Sequence, residues 1–181
     1  MSRLIPLGQQ LTMLGFIPED WAVKPLHQIS PRQSVGLVIN PSSYFSVTGT
    51  VPMLVGSNIF ENRIDPGSAN RISEESNRLI SASRVFEGDL LTVRVGEPGV
   101  TAVVPPELHG CNCASVMIVR RHVSFNSHWL SAAMNSQAGL NQVENVQYGT
   151  AQKQFNISDA VNFLYPVPPP AQEAAERGRE S

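Results

Sequence analysis

The residues best suited to bind a metal lie together in the segment "HGCNC", where His109 precedes Cys111 and Cys113. Structural zinc is normally held by a complete tetrahedral set of ligands. No second cluster of Cys or His completes such a set in the sequence, and two cysteines this close in sequence make a poor disulfide. We therefore expect two buried or half-buried thiols on a strand and no metal.

Other catalytic patterns are absent from the sequence. It contains neither a G-x-S-x-G elbow nor an H-E-x-x-H motif, and its histidines are scattered at His27, His109, His122 and His128. The glycine turn at Gly96 lacks the Lys and Ser/Thr of a P-loop. Asp89, directly after Gly88 and before an apolar segment, is typical of a turn rather than of a catalytic acid. The residues alone thus predict a binding or scaffold domain without an active site.

The composition predicts one domain with a sizeable core, because the chain has 181 residues of which 41% are hydrophobic. Charged residues make up 15% and the formal net charge is −2, so the bulk charge does not indicate a nucleic-acid partner. No apolar run reaches the roughly 18 residues of a membrane span. Pro6 and Gly8 interrupt any signal-peptide core after Arg3. We therefore expect a cytoplasmic protein without membrane contact.

Between Val35 and Val119 the chain consists mostly of the short, β-branched segments that are typical of strands. In "DLLTVRVG" the residues alternate with the period of two that is typical of a strand. One set is Leu91, Val93 and Val95, and the other is Leu90, Thr92 and Arg94. Helices are predicted around Glu74 to Leu79, from about Ser127 to Met134 behind the N-cap Asn126, and after a Ser158 cap, with Val161 and Leu164. The segment "NSQAGLNQVENVQYG" is predicted to be a loop. Many strands without βαβ alternation predict an α+β fold with a twisted, mostly antiparallel β-sheet and a few short helices.

Four segments in this order resemble one target-recognition domain of the specificity (S) subunit of type I restriction-modification systems. They are "GFIPEDWAVKPLHQI", "VPMLVGSNIFENRID", "VFEGDLLTVRVGEPGVTAVVP" and "YGTAQKQFNISDAVNFLYPVPPPAQE". The resemblance implies a chain that is not catalytic and that recognises one half of a split double-stranded DNA sequence in phage defence. It also implies a methylase (modification) subunit and a restriction subunit as partners, to which S-adenosylmethionine, ATP and Mg²⁺ would belong.

Within this resemblance, the segment that starts at Tyr148 is predicted to bind DNA phosphates. A loop before a short helix offers backbone N–H donors and the Lys153 ammonium, while Thr150 and Gln152 add uncharged hydrogen bonds. The alternative is an ordinary surface loop with a solvated lysine.

Bases would be read in the major groove by side chains that carry paired donors and acceptors, above all Arg, Asn and Gln. The candidates lie where polar turns cluster: Asn58, Asn62, Arg63, Arg71, Asn77, Arg78, Arg84 and Arg94. Arg94 is favoured because the turn at Gly96 would let the backbone approach DNA closely. Asn141, Gln142 and Asn145 form a second, weaker group. The alternative for each is solvation or pairing with a neighbouring acid.

The resemblance also predicts the domain organisation. Residues 1–18 are expected to form an N-terminal appendage, for which the end of a spacer helix is one interpretation. Residues 19–170 are expected to form the DNA target-recognition domain, and residues 171–181 a charged, flexible tail. Because a full S subunit has two such domains joined by long helices, the resemblance implies a half or truncated subunit. Two copies would form a homodimer on a palindromic split site, and each alone is expected to bind DNA weakly and in a salt-sensitive way.

Two other functions stay open from the sequence. One is a small β-rich nucleotide-processing enzyme in which Asp89 and Arg94 share a pocket, and the other is a protein-interaction module without DNA contact. Convergence of the arginines from Arg63 to Arg94 with Lys153 on one face would favour DNA. Dispersal of these side chains would favour the alternatives.

Overall fold

Short strands, most of them bounded by turns, carry the fold in the computed structural model, which describes residues 4–170. The strands are β1 (Gln9–Thr12), β2 (Gly15–Pro18), β3 (Ala22–Pro25), β4 (Gln33–Val35), β5 (Val51–Leu54), β6 (Ile59–Phe60), β7 (Arg63–Ile64), β8 (Asn70–Ile72), β9 (Leu90–Val93), β10 (Thr101–Val103), β11 (Asn112–Cys113), β12 (Val116–Val119) and β13 (Leu164–Val167). The α-helices are α1 (Leu26–Ile29), α2 (Glu74–Leu79), α3 (Ser127–Asn135), α4 (Gln137–Val146) and α5 (Ile157–Ala160). Single 3₁₀ turns cover Pro41–Tyr44, Gly56–Asn58, Ser81–Ser83 and Pro106–Leu108.

A four-stranded antiparallel sheet in the order β10-β9-β12-β4 forms the centre. Its two inner strands are buried on both faces, as their continuous apolar sequences require. Leu91 and Ile118 point into one hydrophobic cluster, whereas Leu90 and Met117 point into the other. The alternation predicted for "DLLTVRVG" is thus confirmed, and it separates two cores instead of a core from solvent.

The first core lies between the central sheet and a three-stranded sheet in the order β11-β5-β8. Strands β11 and β5 are parallel, while β5 and β8 are antiparallel. The second core lies between the opposite face of the central sheet and a layer of α1, α3, α4 and α5 with β13. Strand β13 pairs with β3, which closes residues 22–167 into one unit. The predicted α+β fold with mostly antiparallel pairing is confirmed.

Helices α2 and α3 confirm the predictions made for their segments. The Asn126 side chain caps α3 by accepting a hydrogen bond from the Trp129 N–H at 3.1 Å. By contrast, α4 occupies the segment predicted to be a loop, and the Ser136 side chain caps it. Gly139 is a packing residue there, because a Cβ would lie 2.5 Å from the carbonyl oxygens of Ala133 and Met134.

The last helix differs from the prediction in both its start and its length. It begins at Ile157 after Asn156, and no side chain caps it, so Ser158 is not the cap. It ends at Ala160, and Leu164 lies in β13. A helix of one turn has only a small dipole, so it adds little to phosphate binding.

Residues 9–18 form the antiparallel hairpin β1–β2. The interpretation of this stretch as the end of a spacer helix is therefore corrected. The hairpin segment exposes several large apolar side chains: Leu4, Ile5, Leu7, Leu11, Met13 and Phe16. The predicted C-terminal tail at 171–181 lies outside the described residues. Within residues 4–170, none of the helices has the length and apolar character needed to cross a bilayer.

Candidate nucleic-acid interface

The loop 148–156 is closed at its base by a pair of backbone hydrogen bonds. Tyr148 N–H donates to the Gln154 carbonyl at 2.9 Å, and Gln154 N–H donates to the Tyr148 carbonyl at 3.0 Å. Gly149 makes the turn with a φ of +96°, a conformation that favours glycine. The three predicted phosphate ligands, Thr150, Gln152 and Lys153, are all exposed on this closed loop.

The turn at residues 94–96 is hydrogen-bonded to the loop 148–156. Gly96 N–H donates to the Lys153 carbonyl at 3.1 Å, and Arg94 Nε donates to the Phe155 carbonyl at 3.3 Å. Val95 and Gln154 form an antiparallel bridge between these two bonds. The structure thus brings together two segments that the sequence analysis singled out separately. Two predicted roles change as a result. The Gly96 N–H is hydrogen-bonded within the protein, so it is not available to DNA, and the favoured base reader Arg94 is half-buried against the loop.

The Lys153 ammonium makes no hydrogen bond or ion pair with any of residues 4–170. The acidic residue nearest in sequence to the Gly96 turn is Glu97, which is exposed. Lys153 is therefore free to contact an anion, with Glu97 as an opposing charge beside the turn.

Asn58 is a structural residue, and its assignment as a base reader is corrected. Only 1% of its surface is exposed. Its Oδ1 accepts from the Val55 N–H at 3.0 Å, and its Nδ2 donates to the Asp65 carbonyl and to Ser68 Oγ, both at 3.2 Å. These bonds connect the residues before β6 with those after β7, so Asn58 stabilises the hairpin from a buried position.

Asn62 and Arg63 lie on the exposed side of the hairpin β6–β7. Asn62 Oδ1 accepts from Ser131 Oγ at 2.8 Å and from Asn135 Nδ2 at 3.1 Å, which ties the hairpin to α3. The Arg63 guanidinium lies 4.6 Å from the centre of the Phe60 ring and 3.5 Å from the Asp65 carboxylate. Arg63 thus remains available at the surface, whereas the Asn62 carbonyl group is already engaged.

An open cleft of about 480 Å³ lies beside this hairpin. Its charged lining consists of Arg63, Glu87, Glu107 and Arg121, with His128 at the start of α3. Sequence analysis missed this cleft because its walls come from β7, the Gly88 turn, the end of β10 and the N-terminus of α3. No local pattern links residues so far apart in the chain.

The remaining predicted arginines lie elsewhere. Arg71 Nη1 donates to the Thr50 carbonyl at 2.8 Å, and Arg84 Nε donates to the Gly110 carbonyl at 3.3 Å. Arg78 is exposed on α2, and Asn77 is 2% exposed and donates to Gly110. Hence the candidate side chains do not form one cluster, and this dispersal by itself favours the alternatives to DNA binding. Asn77 is corrected to a structural residue.

The weaker group on α4 is partly structural as well. The Gln142 amide binds the Leu164 backbone in both directions, at 2.8 and 2.7 Å. Asn141 accepts from Gln137 Nε2 at 2.7 Å, while Asn145 is exposed. These bonds join α4 to β13, so Gln142 is not free to read a base.

The alternative of an enzyme with Asp89 and Arg94 in one pocket finds no support in the geometry. The Asp89 carboxylate is buried and accepts from Arg120 Nη1 at 2.8 Å, from Arg121 N–H at 2.9 Å and from Phe86 N–H at 3.0 Å. It therefore stabilises the turn before β9, and neither it nor Arg94 lines the cleft.

The two thiols are buried and unpaired, as the sequence predicts. Burial raises the pKa of Cys111 to about 12, and it raises that of Cys113 further. Exposed His109 instead accepts a hydrogen bond from the Glu87 N–H. Among the described residues, no group of His, Cys, Asp and Glu side chains could hold a metal ion.

No protein-family model and no curated protein sequence matches the chain. Solved structures do match its fold. An S subunit of a type I restriction-modification system from M. genitalium aligns at 13% identity over 88% of this chain and 37% of its own, with a TM-score of 0.58. The HsdS subunit from Thermoanaerobacter tengcongensis aligns at 21% identity over 91% of this chain and 44% of its own, with a TM-score of 0.60.

A chain from a structure of the assembly and conformational transition of the type I R-M system aligns at 17% identity, with a TM-score of 0.60. The alignment covers 90% of this chain and 38% of the other chain. The chain therefore spans about two fifths of the solved chains that it matches. Its described residues have the fold found in part of the S subunits of type I restriction-modification systems, as the sequence resemblance predicted.

Proposed function

We propose that this protein is a specificity subunit, or part of one, that binds one half of a split double-stranded DNA site. The observation that carries the proposal is the fold shared with S subunits over about nine tenths of the chain. The closed loop 148–156, with an unpaired lysine at its surface, supports the same conclusion. Such a loop suits a phosphate, because an exposed, unpaired cation lies on a backbone that hydrogen bonds hold in place.

In this function the chain performs no bond-breaking itself. It directs an adenine methylase subunit and a restriction subunit, which carry S-adenosylmethionine, ATP and Mg²⁺, to the recognised sequence. The buried, fully hydrogen-bonded Asp89 and the buried thiols agree with a chain that supplies position rather than catalysis. The complex works in the cytoplasm, and a homodimer of the chain would read a palindromic site.

The experiment is a titration of fluorescent double-stranded DNA with the full chain at several salt concentrations. Each phosphate contact contributes roughly −0.9 to the slope of log K against log salt. Lys153→Ala should lower affinity equally for all sequences and reduce the magnitude of the slope by about 1.

The chain offers a matched control, because its only other lysine is Lys24, an exposed residue of β3. Lys24→Ala removes the same charge from β3 instead of from the loop 148–156 and should leave the salt slope unchanged. Absence of DNA binding by the wild-type chain at low salt, alone and with its methylase partner, would refute the proposed function. Equal effects of the two substitutions would refute the role of the loop.

Contact with another protein is a second function that one observation favours. The N-terminal hairpin segment exposes Leu4, Leu7 and Met13 by 80% or more. Apolar side chains grouped in this way are typical of interaction surfaces. Replacement of Leu7 and Met13 by Ser should weaken association with a partner subunit and leave DNA binding by the chain unchanged, which separates this function from the first.

A further inference from the structure

Residues 60–63, which we name the hairpin tip, present an exposed aromatic ring next to an arginine. Phe60 and Arg63 are cross-strand partners at the end of β6–β7, and 44% of the Phe60 surface is exposed. Packing in the two cores does not account for this ring, since Phe60 belongs to neither hydrophobic cluster. Its position needs another explanation.

The hairpin tip is held rigidly from two sides. Asn62 adopts a φ of +56°, and its N–H donates to the Thr101 carbonyl of β10 at 2.9 Å. Its side chain accepts the hydrogen bonds from Ser131 and Asn135 of α3. Contacts that discriminate between ligands work best on supports fixed in this way.

Within the tip, the Phe60 ring orients the Arg63 guanidinium. The cation lies 4.6 Å from the ring centre, whereas its ion pair with Asp65 is 3.5 Å long and more than half exposed on both sides. Because exposed pairs of this kind are weak, Asp65 does not withdraw the guanidinium from solvent. Stacking on a ring restricts the planar fork of Arg before any ligand arrives.

The charges of the adjoining cleft decide which part of DNA fits there. The two arginines Arg63 and Arg121 and the two glutamates Glu87 and Glu107 line the same opening. A phosphate would meet both carboxylates, so the cleft does not favour it. A base edge is uncharged and presents donors and acceptors side by side, and groups of both signs can satisfy it.

From these observations we infer that the hairpin tip reads DNA bases in the major groove. Arg63 takes guanine through its O6 and N7 acceptors, and Phe60 contacts the methyl group of a neighbouring thymine. The inference rests on the proposed function, because it assigns sequence reading to the tip and phosphate contact to the loop 148–156.

The test is selection of a random double-stranded DNA library at low salt by the full-length wild type and by Arg63→Ala, Arg63→Lys, Phe60→Ala and Arg32→Ala. The wild type should enrich a motif that contains a guanine. Arg63→Ala should prefer that guanine about tenfold less, which is a typical loss for one bidentate pair of hydrogen bonds. Arg63→Lys keeps the charge but lacks the fork, so it should lose the same guanine and retain the salt slope. Phe60→Ala should lose a thymine next to it.

Arg32→Ala is the matched control, because Arg32 is an exposed arginine just before β4 that is not among the predicted DNA contacts, so the motif should stay intact. Thermal unfolding verifies that every variant is folded. A motif identical in wild type and Arg63→Ala would overturn the inference and leave the proposed function standing. Failure of the wild type to bind any DNA would overturn both.

Discussion

Gly149→Ala tests whether the geometry of the loop 148–156 matters for DNA. Gly149 has a φ of +96°, and an added methyl group would collide with the Gln152 carbonyl oxygen. The left-handed conformation alone costs about 1–2 kcal/mol for Ala. The two backbone hydrogen bonds between Tyr148 and Gln154 contribute about 0.5–1.5 kcal/mol each. Opening also breaks the bond from the Gly96 N–H to the Lys153 carbonyl, so the loss of three such bonds limits the loss of stability to about 1.5–4.5 kcal/mol.

For a chain of this size, such a loss lowers the melting temperature by about 2–4 °C per kcal/mol. Opening also releases Lys153 from its position above Gly96. Loss of one phosphate contact should lower DNA affinity by a factor on the order of ten at about 50 mM salt. Fluorescence anisotropy with DNA measures the affinity, and hydrogen exchange at Gln154 reports the opening.

Gly8→Ala is the control, because Gly8 has a φ of +73° in the N-terminal segment and a methyl group there meets nothing within 4 Å. It carries the backbone strain without the collision, and DNA affinity should stay unchanged. If Gln154 exchanges faster in Gly149→Ala while DNA affinity and salt slope equal those of the wild type, the loop is not the phosphate contact.

Three further predictions follow from side chains whose surroundings are fixed by the structure. Asp89→Ala should lower the free energy of unfolding by about 3–5 kcal/mol in urea, because Arg120 loses its buried partner. DNA affinity of the folded protein should not change, and a loss of binding without a loss of stability would contradict this role. Cys111 should react very slowly with a thiol reagent at pH 8 in the native state and rapidly in urea. With a pKa of about 12, only about one thiol in 10,000 is ionised at that pH, so fast native labelling would refute its burial. Glu97→Gln should raise DNA affinity about two- to fivefold at low salt and have no effect at high salt, since exposed charges are screened; an effect that is independent of salt would show another cause.

The sequence predicted the elements whose signal is local. The alternation in β9 and the Asn126 cap of α3 each depend on a few adjacent residues, and both are confirmed. Helix α4 was missed because Gly139, Asn141 and Asn145 all lower the helix propensity of its segment. Close packing against the end of α3 explains that glycine, and packing between two helices cannot be read from either one.

The candidate site shows the same division at the level of single residues. Asn58 and Asn62 stand four positions apart, one before β6 and one after it, and one is buried while the other is exposed. Asparagine suits both a structural bond and a base contact, so its type cannot decide between them. The hydrogen bond between Gly96 and Lys153 joins segments more than fifty residues apart, and only the three-dimensional structure reveals it.

In the proposed function, the net charge of −2 restricts how this chain would bind DNA. Without an excess of cations, it must separate the groups that attract phosphates from those that read bases. The loop at Lys153 and the hairpin tip at Arg63 meet this requirement, and one segment connects them. A Cβ on Gly56, just before β6, would lie 3.6 Å from the Val95 carbonyl beside the loop, while Arg63 lies at the cleft. The residues that precede β6 thus adjoin the turn to which the loop is hydrogen-bonded. Substitutions at Lys153 should therefore change the salt slope, and those at Arg63 the sequence preference, with little exchange between the two effects.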